Sequence, residues 1–165
     1  MTVAALGLRP ILVEHLDQVQ RLRLLRNATR EGFSFDTHEI GEAEQFAWWE
    51  RMRGRVLAWL YADGAGLVVG FGVLRQTEDG RWWTSVGVLP EHGGRGYGRA
   101  ITADLVLRCP GRVWATARRD NPPAVKLHVP RLWDEIEGED ARRVYFRGRY
   151  PTGDRARLVV QQEGL

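Results

Sequence analysis

The chain has 165 residues, of which 44% are hydrophobic and 27% charged, with one cysteine and a formal net charge of +3. That is the profile of one globular domain, residues 1–165, long enough to bury a core. It excludes an internal disulfide; no run of about 18 apolar residues offers a membrane-spanning helix; and Met1–Leu8 lacks the basic start and apolar length of a secretory signal.

Arg9 to Val13 reads as a first strand. Glu14 to Arg26 carries Leu16, Val19, Leu22 and Leu25 on one helical face. Asn27 to Ile40 loses that period and reads as a loop, and Glu42 to Arg53 as a second helix with Phe46, Trp49 and Met52 on one side. Three strands follow, Val56–Tyr61, Leu67–Leu74 and Trp82–Leu89, separated by Asp63-Gly64 and Glu78-Asp79-Gly80, which are hairpin signals. A third helix runs from Tyr97 to Leu107 and stops before Pro110-Gly111. Val113 to Ala117 is then short and apolar, as suits a strand paired in parallel through the helix before it. Asn121 can cap a short fourth helix through His128, with Pro122 in its first turn and Pro130 ending it. Trp133 to Asp140 reads as an acidic connection. Val144–Tyr150 and Ala156–Gln161 form a closing hairpin around Pro151-Thr152-Gly153-Asp154.

Between the third strand of the meander and the third helix sit four glycines, Gly93, Gly94, Gly96 and Gly98. Glycines let backbone approach a ligand closely and take positive φ. A helix opening from such a turn aims its unpaired N–H groups and positive dipole end at an anion. The stretch is a cradle for phosphate oxygens, with Arg95 and Arg99 adding charge. It is not a P-loop, since no G-x-x-x-x-G-K-[ST] exists. Nor is it a dinucleotide fingerprint, because Arg99 falls where the third glycine of G-x-G-x-x-G is required.

What remains is Val88-x-Pro90 followed by Arg95-Gly96-Tyr97-Gly98-Arg99-Ala100. This resembles motif A of the GNAT acetyltransferase superfamily, Q/R-x-x-G-x-G/A, the pyrophosphate loop for acetyl-coenzyme A. The motif's glycines fall on Gly96 and Gly98. Its first residue falls on Gly93, which removes a side chain and keeps the backbone donors. The order of elements is similar to the GNAT fold over nearly the whole chain. The resemblance implies an α/β (α+β) fold: a mixed central sheet of six to seven strands with four helices, its strands splayed at the cofactor cleft.

It also implies acetyl transfer from acetyl-CoA (coenzyme A) by direct attack of a primary amine on the thioester. Cofactor contacts are expected from Val86, Gly87 and Val88 on the strand, from Gly93, Gly94, Arg95, Gly96, Tyr97, Gly98 and Arg99 in the loop, and from Asn121. Backbone N–H groups around Val86 to Val88 would polarise the thioester carbonyl. In relatives a Tyr seven residues after the Asn protonates the leaving thiolate. That position is His128 here, which can give a proton near neutral pH; Tyr145 and Tyr150 are rivals. Where relatives often carry a catalytic Glu, the strands offer Thr84, Ser85 and Thr116. Deprotonation would then pass through water or use Asp36, His38 or Glu39.

Arg26-Asn27, the Phe33–Phe35 loop, Glu44 and Trp48-Trp49-Glu50 resemble the RN…E…W(W/F) pattern of a GNAT branch. That branch acetylates nucleotide-linked amino sugars and ribosomal-protein N-termini. It implies that Arg26 and Asn27 bind the acceptor, Arg26 through a phosphate, while Phe33, Phe35 or Trp48 stack on it. The preferred acceptor is a small-molecule amine, anionic as in a nucleotide-linked amino sugar. Alternatives are a protein N-terminus or a nucleic-acid-borne amine, and, from a different class, a non-catalytic acyl-coenzyme A sensor. Of the 24 Lys+Arg residues only Lys126 is lysine. Arginines from Arg142 to Arg157, interleaved with Tyr145, Phe146 and Tyr150, suit an outward strand face better than a nucleic-acid groove. No metal, no membrane and a cytoplasmic location are expected, Cys109 before Pro110 being a packing residue. Assembly is left open between monomer and homodimer.

Overall fold

The computed structural model describes residues 2–33 and 37–122, together with the backbone of 133–136 and 143–148. Its elements are β1 (Arg9–Leu12), α1 (Leu16–Thr29), α2 (Glu42–Arg51), β2 (Val56–Ala62), β3 (Val68–Gln76), β4 (Trp82–Val88), α3 (Tyr97–Arg108), β5 (Val113–Arg118), β6 (Trp133–Ile136) and β7 (Arg143–Gly148). The strands form one seven-stranded mixed sheet in the order β1-β2-β3-β4-β5-β7-β6. The meander β2–β3–β4 is antiparallel, and β5 joins β4 in parallel after α3 crosses over. The three expected strands, the crossover and the mixed α/β class are therefore present.

Alternation along the strands sends side chains to two cores. Trp59, Tyr61 and Leu74 join Ala115 and Ala117 beneath α3, against Ile101 and Leu105. Ala58, Leu60, Phe71 and Val73 face Val19, Leu22 and Leu25 of α1. The α3 layer lies unusually close to β3. A Cβ built on Gly72 would stand 2.9 Å from Leu105 Cδ1, and one on Gly70 would stand 3.2 Å from Ile101 Cδ1. Side chains there would lift the helix and move its N-terminus relative to the end of β4.

Several expectations are corrected. Helix α1 runs three residues past Arg26, to Thr29, whose Oγ1 donates to the Leu25 carbonyl at 2.9 Å. A 3₁₀ turn, Arg30–Gly32, then occupies part of the expected loop. Leu16 is 57% exposed, because it opens the helix beyond the packed stripe. Phe46 is 42% exposed and Gln45 is the buried residue of α2. The expected acidic connection Trp133–Asp140 contains a strand, β6, paired antiparallel with β7. Among the described strands it lies at the edge of the sheet. On the side away from β5, β7 is thus joined by β6. The expected partner Ala156–Gln161 lies outside the described residues. So does the fourth helix beyond Pro122, leaving three α-helices among the described residues.

Candidate active site

The ladder between β4 and β5 has only two pairs, Trp82↔Val113 and Trp83↔Trp114. Beyond them Thr84–Val88 stays paired with β3, and Ala115–Arg118 stays paired with β7. The sheet therefore opens into a gap at the C-terminal ends of two neighbouring strands. The amide of Leu89 donates to the Val69 carbonyl at 2.9 Å, on the β3 side. Peptide groups alternate in direction along a strand, so the amides of Val86 and Val88 face the gap. Val86 and Val88 also pack against the α3-side core.

From β4 the chain passes through a 3₁₀ turn, Pro90–His92, into the glycine stretch. Gly94 and Gly96 have φ of +74° and +82°, a region costly to any residue with a Cβ. Gly96 is the N-cap of α3, and the first helical bond runs from the Ala100 amide to the Gly96 carbonyl at 3.1 Å. The amides of Tyr97, Gly98 and Arg99 precede that bond and have no partner within the helix. No side chain caps this end and no acidic residue occupies its first turn. Arg95 and Arg99 are exposed beside it. His92, which enters the turn, has a buried Nδ1 with no hydrogen-bond partner among the described residues. The nearest atom to a Cβ on Gly96 is Leu6 Cδ1, at 3.9 Å. This arrangement, donors aimed outward at a helix N-terminus next to an open sheet edge, suits a phosphate-bearing ligand with an arm lying in the gap.

Gly87 fits the gap wall for a steric reason. A Cβ there would stand 2.3 Å from Phe71 Cε1 and 2.7 Å from Thr29 Oγ1. The Phe71 ring lies across Gly87, and Phe33 stacks on Phe71 with centroids 6.2 Å apart. Thr84 is half-buried opposite Leu74, and Ser85 is exposed opposite Val73. Tyr145 of β7 pairs with Thr116, in the part of β5 beyond its last pair with β4. His128, Tyr150, Phe35 and Asp36 lie outside the described residues. Asn121 follows β5 and donates its Nδ2 to the Gly32 carbonyl at 3.3 Å.

The acceptor-pattern residues converge on the connection between α1 and α2. Arg26 Nη1 donates to the His38 carbonyl, and its guanidinium lies 5.3 Å from the Phe33 ring centre. Asn27 is held on both sides by Ile40, donating to its carbonyl and accepting from its amide, each at 2.9 Å. Glu44 meets His38 Nε2 at 2.6 Å. Trp48 and Trp49 are half-buried against the α1-side core, 6.2 Å apart. Glu39 stands 3.8 Å from Arg30.

Sequence reasoning missed Arg118. Asp120 grips it through both carboxylate oxygens, at 2.8 and 2.7 Å, while its Nη1 donates to the Glu31 carbonyl at 3.0 Å. The hydrogen bond from Arg118 holds the Asp120 carboxyl below its usual range, and Asp120 in turn raises the guanidinium. The spacing Arg-x-Asp was visible in the sequence; its target, 87 positions away, was not. Thr29 and Leu6 were also missed, since neither belongs to a local pattern.

A splayed parallel pair at the end of a meander, with a glycine-opened helix between, defines a class of acyl-transfer folds. The sequence profile of the acetyltransferase (GNAT) family matches residues 22–131, and the chain belongs to that family. It is an acyltransferase, and its acyl donor is acetyl-coenzyme A. Among solved structures it is similar to a protein described as a putative phosphinothricin N-acetyltransferase. Identity there is 17%, over 87% of this chain and 99% of that one, with a TM-score of 0.71. It is also similar to a ribosomal-protein-alanine N-acetyltransferase from Brucella melitensis, at 19% identity over 83% of this chain and 98% of that one, TM-score 0.65. A third is spermidine N-acetyltransferase from Vibrio cholerae in complex with CoA and spermine. It is 15% identical over 86% of this chain and 94% of that one, TM-score 0.63. No curated protein sequence matches the chain. Among the described residues no helix is long and apolar enough to cross a membrane, and no cluster of side chains could hold a metal ion.

Proposed function

We propose that the whole chain is one N-acetyltransferase domain that acetylates the primary amine of a small anionic acceptor, in the cytoplasm. The observation that carries the reading is the gap between β4 and β5, with the amides of Val86 and Val88 turned into it. Acetyl-coenzyme A supplies an activated acyl group as a thioester. The amides of Tyr97, Gly98 and Arg99, with Arg95 and Arg99, hold its diphosphate. The Val86 and Val88 amides line the pantetheine arm and donate to the acyl oxygen, whose charge grows as the amine attacks. His128 gives the sulfur its proton, with Tyr145 as the rival acid. No carboxylate stands on the gap-facing strands at Thr84, Ser85 or Thr116. Water therefore takes the amine's proton, with Asp36, His38 and Glu39 of the acceptor connection the alternative bases.

Charge pairing supports the anionic acceptor. A polyamine needs free carboxylates. Around this connection Glu42 stands 3.5 Å from Arg23, Glu44 2.6 Å from His38, Glu39 3.8 Å from Arg30 and Asp120 2.7 Å from Arg118, which leaves exposed Glu31 as the carboxylate there without a close ion pair among the described residues. Arg26, which keeps its bond to the His38 carbonyl, lies over the Phe33 ring and puts a guanidinium on the acceptor connection. The test is coenzyme A release with four amines: a nucleotide-linked amino sugar, phosphinothricin, spermidine and an alanine-first peptide. Turnover led by either of the first two supports the reading. Turnover led by spermidine or the peptide contradicts the acceptor class, and none with any amine contradicts the activity.

A further inference from the structure

The two strands that part at the gap are joined again by a different part of the chain. At the end of α1, Thr29 sits against Gly87 of β4, where an added Cβ would stand 2.7 Å from Thr29 Oγ1. Two residues later the Glu31 carbonyl accepts Arg118 Nη1 at 3.0 Å, and the next carbonyl, Gly32, accepts Asn121 Nδ2 at 3.3 Å. Arg118 closes β5 and Asn121 follows it by three residues. Residues 29–32 therefore span from one lip of the gap to the other. The far anchor is built for rigidity. Asp120 takes the Nε and Nη2 edge of the guanidinium, at 2.8 and 2.7 Å, and leaves Nη1 for the strap. A forked pair of this kind fixes the guanidinium plane as well as its position. Phe33, which ends the strap, packs tilted against Phe71, with the Arg26 guanidinium over its ring.

We propose that Arg118, oriented by Asp120, and Asn121 are positioning residues for the acceptor. They fix the strap formed by residues 29–32 across the gap, and so set where Phe33 and residues 37–40 stand relative to an amine. The kinetic half of the inference rests on the acetyltransferase reading; the anchoring itself does not. Because Arg118 and Asn121 hold the strap at its β5 end, while Thr29 keeps it against Gly87 of β4, loosening the β5 end weakens the acceptor more than a donor held by the glycine cradle.

The test uses the full chain with Arg118→Gln, Arg118→Lys and Asp120→Asn. Backbone hydrogen exchange over residues 26–40 is followed by mass spectrometry, and coenzyme A affinity by calorimetry. Because solvent screens the partly exposed Arg118 guanidinium, losing its bond to the strap is expected to speed exchange at residues 30–33 by about fivefold in Arg118→Gln. Arg118→Lys lies between it and the wild type, since an ammonium keeps one contact and loses the fork. Coenzyme A affinity stays within about twofold, a change too small to reflect a lost contact. With the amine that the wild type acetylates best, KM rises about fivefold and kcat changes less than twofold. If Arg118→Gln does not fold, Asp120→Asn, which keeps the cation and frees its orientation, carries the same readouts. Unchanged exchange at residues 30–33 overturns the proposal, as does a fall in coenzyme A affinity matching the change in acceptor KM. A wild type that binds no coenzyme A defeats the functional reading and leaves the exchange result to judge the strap.

Discussion

Gly96 separates backbone strain from ligand binding in a way that can be measured. Its φ of +82° is one an L side chain adopts at a cost of about 1–2 kcal/mol. An alanine there meets no crowding, since the nearest atom to its Cβ is Leu6 Cδ1 at 3.9 Å. Gly66 has the same φ of +82° in the turn between β2 and β3, with nothing within 4 Å of an added Cβ. The two alanine variants should therefore lose similar stability, about 1–2 kcal/mol, or roughly 2–8 °C in Tm for a chain of this size. They should differ in binding. At Gly96 the strained residue is the N-cap of α3, and relaxing its φ turns the amides of Tyr97 and Gly98 off their target. One such bond to a charged oxygen contributes about 1.5–3 kcal/mol. The acetyl-coenzyme A Kd should then rise at least about tenfold in Gly96→Ala, and further in Gly96→Val, whose branched Cβ suits positive φ least. Gly66→Ala should leave Kd within about twofold. Calorimetric titration and a melting curve on each variant decide the matter. Equal Kd values for Gly96→Ala and the wild type, or an equal loss in Gly66→Ala, would refute the reasoning.

Gly87→Ala should destabilise the fold by about 1–3 kcal/mol through overpacking, since its Cβ would stand 2.3 Å from Phe71 Cε1; a denaturation midpoint equal to that of the wild type would contradict the packing. Tyr61 is fully buried and donates to Asp104 Oδ2 at 2.7 Å; burial, then the Asp104 carboxylate, push its hydroxyl well above the ordinary phenol range. A raised folded value contributes stability that is whole below the unfolded pKa of about 10 and is lost as pH rises above it, by up to about 1.4 kcal/mol per pH unit. Tyr61→Phe should start less stable at pH 8 by about 1–2 kcal/mol and lose less between pH 10 and 11 than the wild type, as urea midpoints would report. His128→Ala should lower kcat by about a hundredfold while acetyl-coenzyme A affinity stays within about twofold; unaltered turnover across pH would transfer the acid role to Tyr145.

The glycine stretch was legible because its signals are local. A strand, positive-φ glycines and a helix start follow one another within residues 82–108, and each has its own sequence mark. The meander was legible for the same reason, through Asp63-Gly64 and Asp79-Gly80. Gly87 between Val86 and Val88 gave no such sign; the side chain that requires it, Phe71, comes from the neighbouring strand. Arg118 and Glu31 meet across 87 positions, and no periodicity encodes a side chain reaching a particular carbonyl. β6 was obscured by Asp134 and Glu135, whose polarity reads as a loop; its pairing is with β7, a partner that no local pattern names. Leu16 failed through the opposite error, an apolar residue in phase with the buried stripe but at the first position of the helix.

The most direct test of the account is an amide-resolved NMR titration of the full chain with coenzyme A. The largest shifts are expected at the amides of Val86, Val88, Tyr97, Gly98 and Arg99, saturating together. Saturable shifts that spare these five amides, or none at any concentration, would contradict it.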